Sequence, residues 1–238
     1  MPNSHFQFKQ FRIEQGNCGM KVTTEGCILG ALASQIVSEP IRVLDIGTGT
    51  GVLALIFAQA NPETIIDAIE IDTQAFDQAQ LNFGNSPWHD RLNAFNVPLN
   101  DFKPVQQYDH IICNPPFFKK NQQGICQQKN KAIHNDHLTF EDLANGLSKL
   151  LAPEGIATIL YPEYEMQVFS AQLKDIGFHE ASGCTVFDKE DKAIFRQVKS
   201  FSFVKSNTTE SQKLIIKNDD GSYTQEFTKL LKPYYLHL

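Results

Sequence analysis

The chain has 238 residues, 42% of them apolar and 20% charged, which is length enough for a sizeable core and a balance that excludes wholesale disorder, collagen-like repeats and coiled coil. Its 21 basic and 27 acidic residues give a net charge of -6, so it does not coat nucleic acid by overall charge and any such contact must be local. The most apolar stretch, Val52 to Ala60, is far short of the ~18 residues of a membrane span, and residues 1–10 carry no apolar leader core, so a cytoplasmic location without membrane attachment is expected. Five cysteines (Cys18, Cys27, Cys113, Cys126, Cys184) are odd in number and scattered, which suggests reduced packing thiols rather than a disulfide framework or a zinc site.

In chain order, Thr24 to Val37 places Ile28, Leu29, Leu32 and Ile36 on one helical face, and the first forty residues are expected to form a cap or lid. From Arg42 onward short apolar runs alternate with helical stretches, the pattern of a parallel sheet covered on both faces. The strand candidates are Arg42–Ile46, Thr64–Ile71, Leu92–Val97, Tyr108–Cys113 and Gly155–Tyr161. Between them Phe76, Ala79 and Phe83 recur at helical spacing, and Phe140, Leu143, Leu147 and Leu150 do so behind a Thr139-x-x-Asp142 capping pattern. Gly177 ends a further helix, after which Ala181–Phe187 and Ala193–Val204 read as an antiparallel hairpin at one edge of the sheet. A short strand at Leu214–Lys217, a turn, and a helix capped through Ser222-x-x-Gln225 follow. We expect one domain over 1–238: a cap (1–40), a sheet core (41–206) and an extension (207–238).

Three positions carry chemistry. Asp45-Ile46-Gly47-Thr48-Gly49-Thr50-Gly51 lies where a strand hands over to a helix, and three glycines in five residues suit a loop that must bring its backbone close to a ligand. The spacing G-x-G-x-G disfavours a dinucleotide, which calls for G-x-G-x-x-G. The next strand ends at Glu70, nineteen residues beyond Gly51, where a carboxylate can accept both hydroxyls of a ribose diol, while Asp72 better fits a helix cap. The fourth strand runs directly into Asn114-Pro115-Pro116-Phe117, in which two prolines stop the strand and fix the backbone at the ligand-binding edge.

The glycine loop resembles motif I of the class I S-adenosylmethionine-dependent methyltransferases. That resemblance implies a Rossmann-like α/β fold with a seven-stranded, mostly parallel sheet and an antiparallel hairpin edge. It also implies S-adenosyl-L-methionine as cofactor, with Gly47, Thr48, Gly49 and Gly51 cradling its methionine part and Asp45 organising the loop and the ammonium. At the third strand's end Asn96 would supply a carbonyl to the adenine and Val97 an apolar wall. Asn114 to Phe117 resembles the (N/D/S)-P-P-(Y/F) tetrad of amino-methyltransferases acting on adenine N6, cytosine N4 or glutamine N5. An exocyclic amine is a weak nucleophile; the Asn114 side-chain oxygen and the Pro115 carbonyl can accept its two N–H groups and turn its lone pair toward the methyl, while Phe117 stacks on the ring.

The string Phe6-Gln7-Phe8-Lys9-Gln10-Phe11, then Cys18-Gly19-Met20-Lys21-Val22-Thr23-Thr24-Glu25-Gly26 and Leu29-Gly30-Ala31, is similar to the tRNA(Val) adenine-N6 methyltransferase family, which modifies the adenosine at position 37 beside the anticodon. The likeness extends to Tyr223-Thr224-x-x-Phe227 and Tyr235-Leu236, and it implies that Lys21 and Thr24 sit over the cofactor's carboxylate end. The charge pattern points the same way: 115–135 holds Lys119, Lys120, Lys129 and Lys131 and no acid, whereas 61–101 holds seven acids and one arginine. The anticodon stem-loop of tRNA is thus the expected partner at those lysines, with no obligate protein partner. His134 and His137 lack companion ligands and suggest a helix entry rather than a metal. A glutamine-N5 methyltransferase and a non-enzymatic RNA-binding subunit remain as alternatives.

Overall fold

A computed structural model of the chain describes residues 4–16, 19–36, 42–116, 138–205 and 210–238. Its central sheet is built from the apolar runs that begin at Arg42: β3 (Arg42–Ile46), β4 (Ile65–Glu70), β5 (Leu92–Asn96), β6 (Tyr108–Cys113) and β7 (Leu151–Tyr161), all mutually parallel. The helices between them are α2 (Val52–Ala60), α3 (Thr73–Gly84) and α4 (Phe140–Leu150). After α5 (Glu163–Asp175), closed by Gly177 in the left-handed region, β8 (His179–Phe187) and β9 (Ile194–Ser202) form the expected hairpin, β9 lying antiparallel against β7. Ahead of the sheet stand a small hairpin, β1 (His5–Gln7) with β2 (Arg12–Glu14), and α1 (Thr24–Ala33).

The sheet has eight strands where seven were expected, in the order β10-β8-β9-β7-β6-β3-β4-β5. The strand beyond that count, β10 (Glu210–Ile215), overlaps the short strand expected at Leu214–Lys217 but starts four residues earlier, and it pairs in parallel with β8. It forms because β8 would otherwise present an unpaired row of backbone groups, and because Leu214 and the following Ile216 can be buried. A second difference concerns α6 (Gln225–Leu231): its cap is Thr224, whose Oγ1 accepts from Phe227 N at 3.2 Å, not Ser222. Ser222 is instead drawn into a turn by Asp220 Oδ1, which accepts from its hydroxyl and its N–H. Helix α1 closes at Ala33, one turn before the expected Val37, which lies outside the described residues.

Side chains alternate along the strands and divide the core in two. Val43 and Ile112 face a layer made by α1, α2, α3, α6 and the N-terminal hairpin, while Leu44, Ile46, Ile111 and Cys113 face α4 and α5. Phe8, Phe11 and Ile13 are buried in the first layer, stacked through Phe8 on Phe11 at 4.4 Å between ring centroids. Among the described residues no helix is long and apolar enough to cross a membrane.

Candidate active site

Strands β3 and β6 are neighbours, but the chain leaves β3 for the α2 layer and re-enters from β6 through α4 on the opposite layer. This parting of the connections opens a crevice at the C-terminal ends of the strands, and the three motifs all fall there.

The loop after β3 is held by its own backbone: Gly47 N and Thr48 N both donate to Ile69 O, at 2.9 and 3.1 Å, and Gly51 N donates to Thr48 O at 2.9 Å. Gly47, Gly49 and Gly51 all have positive φ (68°, 56° and 83°), but for different reasons. At Gly51 a Cβ would lie 2.5 Å from Phe83 Cε1, so this glycine lets α2 start against α3. At Gly47 and Gly49 a Cβ would meet nothing within 4 Å, so the space beside them is open for a ligand. Glu70, at the end of β4, closes the far side: Oε2 accepts from Gly49 N at 2.9 Å and Oε1 from Asp72 N at 3.0 Å. Asp72 caps α3 through Ala75 N, as expected for it.

Asp45 is fully buried beneath the loop, where Oδ2 accepts from the Thr48 hydroxyl at 2.6 Å and Oδ1 has no partner among the described residues. Burial pushes its carboxyl up to about 7, against the lowering effects of the Thr48 hydroxyl and then the Ala54 backbone N–H, with a smaller raising effect of the Glu70 charge. Neighbouring Cys113 donates to Ile46 O at 3.2 Å, and burial holds its thiol well above the usual range, so it is a packing group.

Asn114 follows Cys113 directly and is half-buried, and its Oδ1 is enclosed without a hydrogen-bond donor among the described residues. Such an acceptor costs folding free energy unless something else supplies the donor. Pro115 is buried and Pro116 exposed. The first turn of α1 covers the amide: a Cβ on Gly26 would stand 3.8 Å from Asn114 Nδ2. Thr23 caps that helix, accepting from Gly26 N at 3.2 Å. Thr24 is exposed beside the Tyr235 hydroxyl, and Lys21 is exposed just before the cap.

The other expected positions are distributed unevenly. Asn96 reaches the same edge, yet its side chain braces the β4–α3 corner, with Nδ2 donating to Glu70 O at 2.9 Å and Ile71 O at 3.2 Å and Oδ1 accepting from Thr73 Oγ1 at 3.0 Å. Val97 is half-buried and donates its N–H to Glu70 O at 3.2 Å. Phe117, Lys119, Lys120, Lys129, Lys131, His134 and His137 lie outside the described residues.

Sequence reasoning passed over two features. Ile71, 46% exposed between Glu70 and Asp72, offers an apolar surface at the lip of the crevice, for which the only signal is an isoleucine flanked by acids at a strand end. Asn82 of α3 is buried and clamps three segments: Oδ1 accepts from Glu14 N at 2.8 Å, and Nδ2 donates to Glu14 O and Thr50 O at 2.9 Å each. It ties the N-terminal hairpin to the glycine loop.

These residues fit S-adenosylmethionine: open space beside two left-handed glycines, a buried acid with a spare oxygen, a carboxylate at the next strand's end, and an orphaned amide oxygen at the tetrad. Residues 28–135 match the family described as Methyltransferase small domain. Among solved structures, a protein of Agrobacterium tumefaciens described as a predicted O-methyltransferase shares the fold at a TM-score of 0.67 and 15% identity, covering 87% of this chain and 95% of that one. A ribosomal protein L11 methylase of Lactobacillus delbrueckii subsp. bulgaricus does so at 0.52 and 16%, covering 76% and 78%. In sequence the chain is 41% identical over 98% of both chains to a Dyadobacter fermentans protein named tRNA1(Val) (adenine(37)-N6)-methyltransferase. A Vibrio parahaemolyticus protein of the same name is 38% identical over 98% of this chain and 96% of its own length. With relatives this similar over nearly their whole length, on a glycine loop, an acidic strand end and an Asn114-Pro115-Pro116 corner arranged as described, the chain belongs to the tRNA1(Val) (adenine(37)-N6)-methyltransferase family of S-adenosylmethionine-dependent enzymes.

Proposed function

We propose that this protein methylates the exocyclic N6 of adenine 37 in tRNA1(Val), with Asn114 and Pro115 orienting the amine. The observation that carries the reading is the enclosed Asn114 Oδ1, an acceptor with no donor among the described residues at the end of β6, followed by two prolines that fix its position. An adenine amino group brings two N–H donors, one for Asn114 Oδ1 and one for the Pro115 carbonyl. With both hydrogens taken, the nitrogen lone pair is turned out of conjugation and toward the cofactor side of the crevice.

Bound S-adenosylmethionine supplies an electrophilic methyl group on a sulfonium. Gly47, Thr48, Gly49 and Gly51 form the backbone cradle for its methionine part, and Asp45 holds that loop through Thr48 while presenting a spare oxygen to an ammonium. Glu70 retains lone pairs for the ribose hydroxyls beyond its bonds to Gly49 and Asp72. Asn96, Val97 and Ile71 flank the adenine end, and Lys21 and Thr24 lie at the carboxylate end. Pro116 fixes the exit from the tetrad and Phe117 stacks on the target base, an arrangement worth ~1–3 kcal/mol for base on aromatic ring. No basic side chain is needed for attack, since the proton leaves after the methyl arrives.

Adenine 37 sits in a loop, so it reaches the pocket without unpairing a duplex. Lys119, Lys120, Lys129 and Lys131 supply the local positive charge for the anticodon arm in a chain of net charge -6. A tRNA substrate supports a cytoplasmic location. The test is nucleoside mass spectrometry of tRNA1(Val) transcript incubated with the protein and S-adenosylmethionine. N6-methyladenosine at position 37 is expected, and its absence with active protein overturns the proposal.

A further inference from the structure

We propose that Glu25 and Arg196 form a positioning pair that holds the first turn of α1 against the Asn114 amide and so sets the angle at which Asn114 meets the target amine. The inference rests on the reading of Asn114 given above and extends it to two residues to which no role has been assigned, Arg196 lying outside every sequence motif.

Asn114 has to be oriented by something, yet its Oδ1 is bonded to no donor among the described residues. Among the described residues the helix turn at Gly26 borders the amide: a Cβ there would stand at an ordinary contact distance, 3.8 Å, from Asn114 Nδ2. The rotation of the amide therefore depends on where that turn sits, and the turn needs an anchor to the sheet edge. Glu25, the residue before Gly26, supplies one: its Oε2 pairs with Arg196 Nη2 at 3.0 Å. Arg196 belongs to β9, where the adjacent Gln197 is in register with Tyr161 at the C-terminal end of β7. The anchor thus lies on the same edge as Asn114 and two strands away, about 10 Å. Arg196 is itself braced, donating from Nη1 to Phe195 O at 2.6 Å with its guanidinium 4.4 Å from the Phe195 ring centroid. Both side chains are mostly buried, at 22% and 14% exposure, so a rearranged pair would leave a charge in poor solvent. A pair that is costly to break, attached to a braced arginine, is a stiff strut. Through it the antiparallel hairpin, which contributes nothing to the three motifs, controls the geometry of the tetrad.

The test is steady-state kinetics of the full chain on tRNA1(Val) transcript, with calorimetric titration of S-adenosylmethionine. Glu25→Gln keeps shape and removes the charge; kcat is expected to fall about tenfold while KM for tRNA and the cofactor Kd stay within twofold. The charge-swapped pair Glu25→Arg with Arg196→Glu is expected to regain at least threefold in kcat over either single change. Arg196→Lys, which keeps the charge but loses the fork, should fall between wild type and Glu25→Gln, and it decides the matter if Glu25→Gln does not fold. Unchanged kcat in folded variants overturns the proposal, as does a loss of cofactor affinity equal to the loss of kcat, because that pattern belongs to general loosening. Failure of wild type to methylate the transcript would instead strike the proposed function, so the two failures are separable.

Discussion

Glu70 accepts the backbone N–H of Gly49 at 2.9 Å, a carboxylate at the end of β4 bonded to the middle of the loop that follows β3. One side chain therefore shapes the loop and, in the proposed reading, also takes the ribose. Glu70→Ala removes a charge-assisted bond worth ~1.5–3 kcal/mol, so S-adenosylmethionine affinity measured by calorimetry should weaken roughly 10- to 100-fold. Glu70→Gln retains one acceptor oxygen and should fall in between.

Asn114→Ala removes the acceptor proposed to orient the amine. We expect kcat to drop by about 10² to 10³, the scale of losing one preorganised hydrogen-bonding group, with cofactor affinity unchanged within twofold. Because the native oxygen is enclosed and unpaired among the described residues, its removal should not lower the thermal unfolding midpoint and should raise it slightly. Near-normal turnover would reject the mechanism.

The glycines separate folding from binding. Gly51→Ala meets both a left-handed φ of 83° and Phe83 Cε1 at 2.5 Å, and should cost about 2–4 kcal/mol in urea unfolding. Gly49→Ala meets no atom within 4 Å, so its stability cost should be limited to ~1–2 kcal/mol of backbone strain, while the added methyl intrudes on the ligand space. Its larger effect is expected in the cofactor titration.

Two buried groups give opposing pH dependence. The Asp45 carboxyl, raised by burial from 3.8 to about 7, contributes stability that is full below pH 3.8 and lost as pH rises to about 7. His110, lowered by burial from 6.5 to about 3, contributes stability that is full above pH 6.5 and lost as pH falls toward 3. Between pH 3.8 and 6.5 the two slopes, each up to about 1.4 kcal/mol per pH unit, run against each other. Relative to wild type, Asp45→Asn should gain stability with rising pH across this window and His110→Gln should lose it, as read by urea unfolding at several pH values. An ammonium arriving beside Asp45 favours the ionised carboxyl, so cofactor affinity should rise as pH rises through about 7, with proton release detectable in buffers of different ionisation enthalpy.

The parallel sheet was legible because strands covered on both faces read as unbroken apolar runs, and the Thr139–Asp142 capping box stands in the structure as its spacing implies. Strand β10 was harder to see: Glu210-Ser211-Gln212-Lys213 is polar, and only pairing with β8 makes it a strand. Ser222 and Thr224 offered two caps for one helix, and Asp220 decided between them by engaging Ser222. In the site, the positions of the glycines, Glu70 and Asn114 could be read because each stands next to a strand end, while their roles belong to the proposal above. Asn96 occupies an expected position, but its neighbours Thr73 and the β4–α3 corner engage its side chain. Asn82 with Glu14, and Glu25 with Arg196, are contacts between distant segments, and no spacing announces them.

The bridge between Phe8 and Tyr235, with Lys9 N donating to Tyr234 O at 2.8 Å, has a bearing on timing. Phe8 and Lys9 meet these partners only when residues 234 and 235 have emerged, and Tyr235 also stands beside Thr24 and Cys27 on the helix that borders Asn114. A nascent chain that has produced every motif thus still lacks a finished pocket, so the enzyme should acquire competence only after this stretch is translated, and premature stop codons upstream of it should yield inert protein.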